Sequence, residues 1–147
     1  MDPDTLAKGD SESGHQQALF CWAAKKEVRD YIPEVKWLYH VPNGGSRGDT
    51  QKSRSIAGGL LKAEGVKKGV PDLDLPVRSP CGHIGLRIEM KKPAEFRPGN
   101  DRAGCSEEQK EWLTHLQSQG YAVAVAYSWR EAANIILAYL EKPWRVS

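Results

Sequence analysis

Apolar residues recur along this 147-residue chain with two spacings, one suited to helices and one to strands, and together they give an alternating order of elements. After a polar stretch over residues 1–10 that carries no pattern and reads as a flexible lead-in, Ser13-Gly14-His15-Gln16 has capping-box spacing. Ala18, Leu19, Trp22 and Ala23 continue with helical period to about Asp30, and Pro33 closes the region. Lys36 to Val41 alternates and is rich in aromatic residues, as a strand is, until Pro42-Asn43-Gly44-Gly45 breaks it. A second helix carries Ile56, Leu60 and Leu61 on one stripe and ends at Gly65. Val70–Val77 and Gly85–Lys91 read as strands that pair antiparallel across the turn Arg78-Ser79-Pro80-Cys81-Gly82. Residues 93–104, with Pro93, Pro98, Gly99 and Gly104 among charges, read as a mobile loop. Ser106-Glu107-Glu108-Gln109 opens a helix bearing Trp112, Leu113 and Leu116 and stopped by Gly120; on this spacing Trp112 is a core residue. Tyr121–Tyr127 is apolar throughout like a buried strand, and Ser128-Trp129-Arg130-Glu131 starts a last amphipathic helix through Leu140. The order is α, β, α, β, β, α, β, α: one α/β domain over residues 11–141, with a C-terminal tail over 142–147.

Chemistry gathers where the two paired strands meet. Residues two apart on a strand share a face, so Glu89 and Lys91 emerge together while Ile88 and Met90 point to the other layer. An acid and a lysine at this spacing are common on a solvated strand face; the signal is the order Pro71-Asp72, hairpin, apolar strand, Glu89-x-Lys91, which crowds three charges where a core strand needs a ligand or pairing to compensate them. Two carboxylates on adjacent strands can hold a hard divalent cation through oxygen, and a lysine beside them can orient a water. Asp74, two residues after Asp72, is open to two readings, an extra ligand or an edge charge.

Net charge changes the picture little. At +2 with 27% charged residues there is no global nucleic-acid signature, so a binding surface has to be local. Arg47, Lys52, Arg54, Lys62, Lys67 and Lys68 bracket the second helix and lead into the strand of Asp72; as a group they suit phosphate contact, though each alone is an ordinary surface cation. Cys21, Cys81 and Cys105 are widely spaced and odd in number, which points to a reducing compartment; Cys21 fits a helix core, and the other two fall in loops. The histidines show no transition-metal spacing, no apolar run is long enough to span a membrane, and the N-terminus is not a signal peptide, so a soluble cytoplasmic protein is expected.

With these pieces in order, the chain resembles the VRR-NUC branch of the PD-(D/E)xK nucleases, in its compact stand-alone phage and bacterial form. The resemblance runs from Ser11 to Leu140 and rests on Glu12-x-x-x-Gln16, on Ala57 to Gly69 before Val70-Pro71-Asp72-Leu73, on Glu89-Met90-Lys91, and on Ser106-x-x-Gln109-x-x-Trp112-x-x-x-Leu116-x-x-x-Gly120. It implies a restriction-endonuclease-like core with a central mixed sheet flanked by helices. Asp72, Glu89 and the Met90 backbone carbonyl would bind Mg²⁺ or Mn²⁺, and Lys91 would position the attacking water. Glu12 would complete the metal site, or it is simply an acid favoured at a helix N-terminus. Gln109 would touch Lys91 or a phosphate, or it is the capping partner of Ser106, and one side chain does not easily do both. The implied activity is a metal-dependent, structure-specific DNA endonuclease, resolving Holliday junctions as a homodimer on branched DNA. The alternatives are a nuclease for flaps, nicks or single-stranded ends, and an inactive DNA-binding scaffold.

Overall fold

The computed structural model describes residues 1–42 and 59–147, and Arg47, Lys52, Arg54 and Ile56 lie outside the described residues. Helices α1 (Pro3–Ala7), α2 (Glu12–Ala23) and α3 (Lys26–Tyr31) lead through a 3-10 turn at Pro33–Trp37 to strand β1 (Tyr39–His40). Residues 59–63 are helical; then come β2 (Leu73–Leu75), β3 (Leu86–Met90), a 3-10 turn at Pro93–Glu95, α4 (Glu107–Ser118), β4 (Ala122–Ala126) and α5 (Trp129–Tyr139). The sheet runs β1-β2-β3-β4, antiparallel across the first two pairs and parallel between β3 and β4, so it is mixed as expected.

Alternation along β2 and β3 sorts the side chains into two layers. Leu73, Leu75, Leu86, Ile88 and Met90 join α2, α3 and α5 in the main core, which includes Leu19, Trp22, Ile32, Ile136 and Leu137. On the other face Val123 and Val125 pack with Leu113 of α4, Ala103 and Tyr127. Asp72, Asp74, Arg87 and Glu89 alternate with the residues that fill the main core, and this places the charges on the α4 side.

Several boundaries differ from the sequence pattern for local reasons. The lead-in contains α1, capped by Asp2 onto the Thr5 N–H at 3.0 Å and fastened to α5 by an Arg130–Asp4 ion pair at 2.6 Å. The first long helix starts from Ser11, whose side chain accepts from the Gly14 N–H, so Ser13 is not the cap; it breaks at Ala24-Lys25 before α3. Pro33 begins a 3-10 turn that takes up Lys36 and Trp37 at the start of the expected first strand, and β1 is only the two residues Tyr39–His40. His15 is buried and ties α2 to α5: its Nδ1 accepts the Trp129 N–H at 3.0 Å, so Nε2–H donates to Asp10 at 2.9 Å. Trp112 is half-buried and meets His115 edge-on, outside both apolar clusters, and so is not the core residue expected. Cys21 is likewise only half-buried, its Sγ bonded to the Met1 carbonyl. Leu60 is 58% exposed. Among the described residues no helix is long and apolar enough to cross a membrane.

Candidate active site

Asp72 is the last residue before β2, and Lys91 the first after β3. Continuing the Leu73–Ile88 pairing by one step sets Asp72 opposite Glu89. Asp72 and Lys91 are each 7% exposed and Glu89 1%, so none of the three lies on a solvated strand face. Asp72 Oδ2 accepts the Met90 N–H at 2.7 Å, tying the start of β2 to the end of β3. The Lys91 N–H donates to the Ala126 carbonyl at 2.8 Å, and its Nζ stands 3.9 Å from Glu89 Oε1.

Gln109 reaches this cluster from the first turn of α4. Its Nε2 donates to Glu89 Oε1 at 2.9 Å while its Oε1 accepts the Ser106 N–H at 2.8 Å, and Ser106 Oγ accepts the Gln109 N–H at 3.2 Å. The expected conflict between cap and site is therefore absent. An amide has a donor end and an acceptor end, and here each serves one role. Gly69 fixes where this turn sits: φ is +92°, and a Cβ there would fall 2.7 Å from the Glu108 backbone. The chain leading to Asp72 thus touches the helix carrying Gln109 at a point where only hydrogen fits.

Asp72 and Glu89 bring two acid groups together in a buried place. Glu89 Oε2 is buried and has no donor to accept from. Burial first, then the Asp72 carboxylate, pushes the Glu89 pKa up to about 9. The Lys91 ammonium offsets this only in part, and a proton on Glu89 or a cation beside the pair relieves the remaining repulsion. Glu12, at the start of α2, is open to solvent on one side, yet its carboxyl is raised, by partial burial first and then by Asp72, with Glu95 a further negative neighbour. Glu95, whose Oε2 is also buried without a partner, had no sequence signal because it lies in the 3-10 turn after the strand. Among the described residues no three His, Cys, Asp or Glu side chains close into a ready-made metal cage. Two facing carboxylates and an orphan oxygen nevertheless fit a hard cation that keeps several waters.

Asp74 is not a free edge charge. It accepts from the Tyr39 hydroxyl at 2.6 Å and pairs with Arg87 at 3.8 Å, turned to a second polar row on the same face. Lys62, Lys67 and Lys68 are exposed on the approach to Asp72; Lys68 stands 3.6 Å from Glu108.

A solved structure of a VRR_NUC domain protein superimposes with a TM-score of 0.62 at 25% identity, covering 89% of this chain and 88% of that one. No curated protein matches the chain. The model of the VRR-NUC domain matches residues 10–129, a span that holds Glu12, Asp72, Glu89, Lys91 and Gln109. The chain therefore belongs to the VRR-NUC family, a PD-(D/E)xK-like nuclease domain.

Proposed function

We propose that this nuclease is a Mg²⁺- or Mn²⁺-dependent endonuclease that hydrolyses phosphodiesters in branched DNA, resolving four-way junctions as a homodimer. The observation that carries the metal dependence is the buried, partnerless Oε2 of Glu89, in a carboxyl group that lies beside Asp72. In this reading Asp72, Glu89 and the Met90 carbonyl hold the cation, with Glu12 closing the open side. A bound cation of this kind supplies charge for the phosphate and its leaving oxygen and makes water a competent nucleophile near neutral pH.

The chain's own groups do the rest. Gln109 fixes Glu89 through Oε1, which leaves Oε2 as the ligating atom. The Met90 N–H holds Asp72 Oδ2, so Oδ1 is the oxygen left for a ligand. Lys91, its side chain only 9% exposed and beside Glu89, would donate to the attacking water and orient it. Lys62, Lys67 and Lys68 hold the DNA backbone without reading bases, which suits selection by shape. A C2 dimer presents two such centres and cuts two strands symmetrically.

Cleavage of a labelled panel of junction, flap, duplex and single strand, with Mg²⁺, Mn²⁺ or EDTA, tests this reading. Metal-dependent, paired symmetrical nicks in the junction, abolished by Asp72→Asn and by Glu89→Gln, are expected. Cutting confined to flaps or single-stranded ends would overturn the junction preference. Binding without cutting under every metal would leave only a DNA-binding scaffold.

A further inference from the structure

The turn joining β2 to β3 carries a second cluster of donors, at the end of the hairpin opposite Asp72 and Glu89. Along β2 alone the two ends lie about 10 Å apart at ~3.3 Å per residue. Ser79, Cys81 and His83 alternate through this turn, and their side chains converge. Cys81 Sγ is 3.4 Å from His83 Nδ1, Ser79 Oγ is 3.4 Å from Cys81 Sγ, and Ser79 Oγ is 3.5 Å from His83 Nδ1.

We propose that Ser79, Cys81 and His83 form a binding site for a thiophilic divalent cation, zinc foremost, independent of the nuclease centre. Ligands bonded tetrahedrally to zinc at ordinary Zn–S, Zn–N and Zn–O lengths stand about 3.4–3.6 Å from one another. The three edges of this triangle fall at that spacing without any rearrangement. Sulfur and imidazole nitrogen are the donor types that zinc prefers over magnesium, whereas the nuclease centre offers only carboxylate and carbonyl oxygen.

The protein also builds the triangle from behind. Gly82, at φ +100°, reverses the chain so that Cys81 and His83 come to the same side. Ser79 N–H donates to the His83 carbonyl at 2.9 Å, and the His83 N–H donates to Ser79 Oγ at 2.9 Å. Ser79 is 3% exposed, and the Tyr139 hydroxyl of α5 bonds the Val77 carbonyl at 2.6 Å and the His83 carbonyl at 3.3 Å. The turn is thus pinned to a core helix, which fixes ligand positions as supporting hydrogen bonds do at metal sites. Cys81 and His83 are exposed on the outer side, so a cation has a way in and a water can complete its coordination. On binding, the Cys81 thiol proton leaves to solvent, neutral His83 contributes the Nδ1 lone pair, and the Ser79 hydroxyl stays protonated.

Cobalt(II) is a spectroscopic stand-in for zinc. The intact protein, kept in excess Mg²⁺ to fill the carboxylate centre, is titrated with Co²⁺. We expect one equivalent to give a thiolate-to-cobalt charge-transfer band with tetrahedral visible absorption, lost on adding one equivalent of Zn²⁺. Cys81→Ser and His83→Ala, both at exposed positions, remove the band, while Cys21→Ser and Cys105→Ser keep it. Absence of a thiolate band in the wild type, or a band that survives Cys81→Ser, overturns the site.

Discussion

At the scale of single residues, Glu89 sets the terms for everything around it. Its pKa moves from 4.5 to about 9, so between those values the folded protein keeps a proton that the unfolded chain has lost. The stability linked to this proton is complete below about pH 4.5 and is lost as pH rises towards 9, by at most ~1.4 kcal/mol per pH unit. Metal-free protein should therefore melt at a lower temperature at pH 8 than at pH 6. Glu89→Gln, which keeps a hydrogen-bonding neutral side chain, should flatten that slope and raise the metal-free melting temperature at pH 8. A slope unchanged by the substitution would show that Glu89 is ionised in the folded, metal-free protein. Lys91 makes the complementary case. Lys91→Ala should fold and bind DNA but cut about a hundredfold more slowly or worse, as loss of a positioned catalytic group does, and single-turnover rates measure it.

At the scale of elements, the site depends on how α4 meets the chain before β2. Gly69 brings its backbone against Glu108 at a φ no other residue adopts easily, and the next residue along α4 is Gln109. Gly69→Ala should cost about 1–3 kcal/mol in denaturant unfolding and also weaken Mg²⁺ binding, because separating the two segments frees Gln109 from Glu89. Ser106→Ala removes the cap alone and should cost about 1 kcal/mol. Equal metal affinity in Gly69→Ala and wild type would mean that the close approach does not position Gln109. Much of this was legible in the sequence. Alternation on β2 and β3 marked the core layer, and the spacing of Ser106 and Gln109 marked the α4 capping box, because each depends on neighbours a few residues apart; the register of Asp72 against Glu89 came only with the structure. The pairing of Asp74 with Tyr39 and Arg87, the nearness of Glu95 to Glu12 and the contact at Gly69 were not legible; each joins segments distant along the chain or sits in a turn without period. The strand over Tyr121–Tyr127 was legible as β4, but its place was not: its apolar run does not tell that it lies at the edge of the sheet, where α4 and α5 cover its faces.

At the scale of the whole molecule, the charge distribution would make the proposed cation a partner in binding as well as in cutting. The net charge is only +2, and the carboxylates of Asp72, Glu89, Glu12 and Glu95 stand together where a phosphate must approach. On the proposed reading the negative groups of this centre repel the backbone that Lys62, Lys67 and Lys68 would attract, and a divalent cation that displaces the Glu89 proton would make the centre less negative by one charge. The Lys91→Ala protein, which should not cut appreciably, separates these effects. It should bind a labelled junction about tenfold more tightly in Mg²⁺ than in EDTA at equal ionic strength, the ~1.4 kcal/mol expected of one charge at a partly buried site. Adding Asp72→Asn should abolish that difference. Replacing Lys62, Lys67 and Lys68 together by Ala should act differently: it should weaken binding in both buffers and make the dependence of log affinity on log salt shallower by about 2–3. Lys68 contributes least to that change, since Glu108 already lies beside it. A salt slope that stays the same would move the DNA to another face of the protein, whereas loss of the Mg²⁺ difference in the lysine variant alone would tie metal and DNA to a single shared surface.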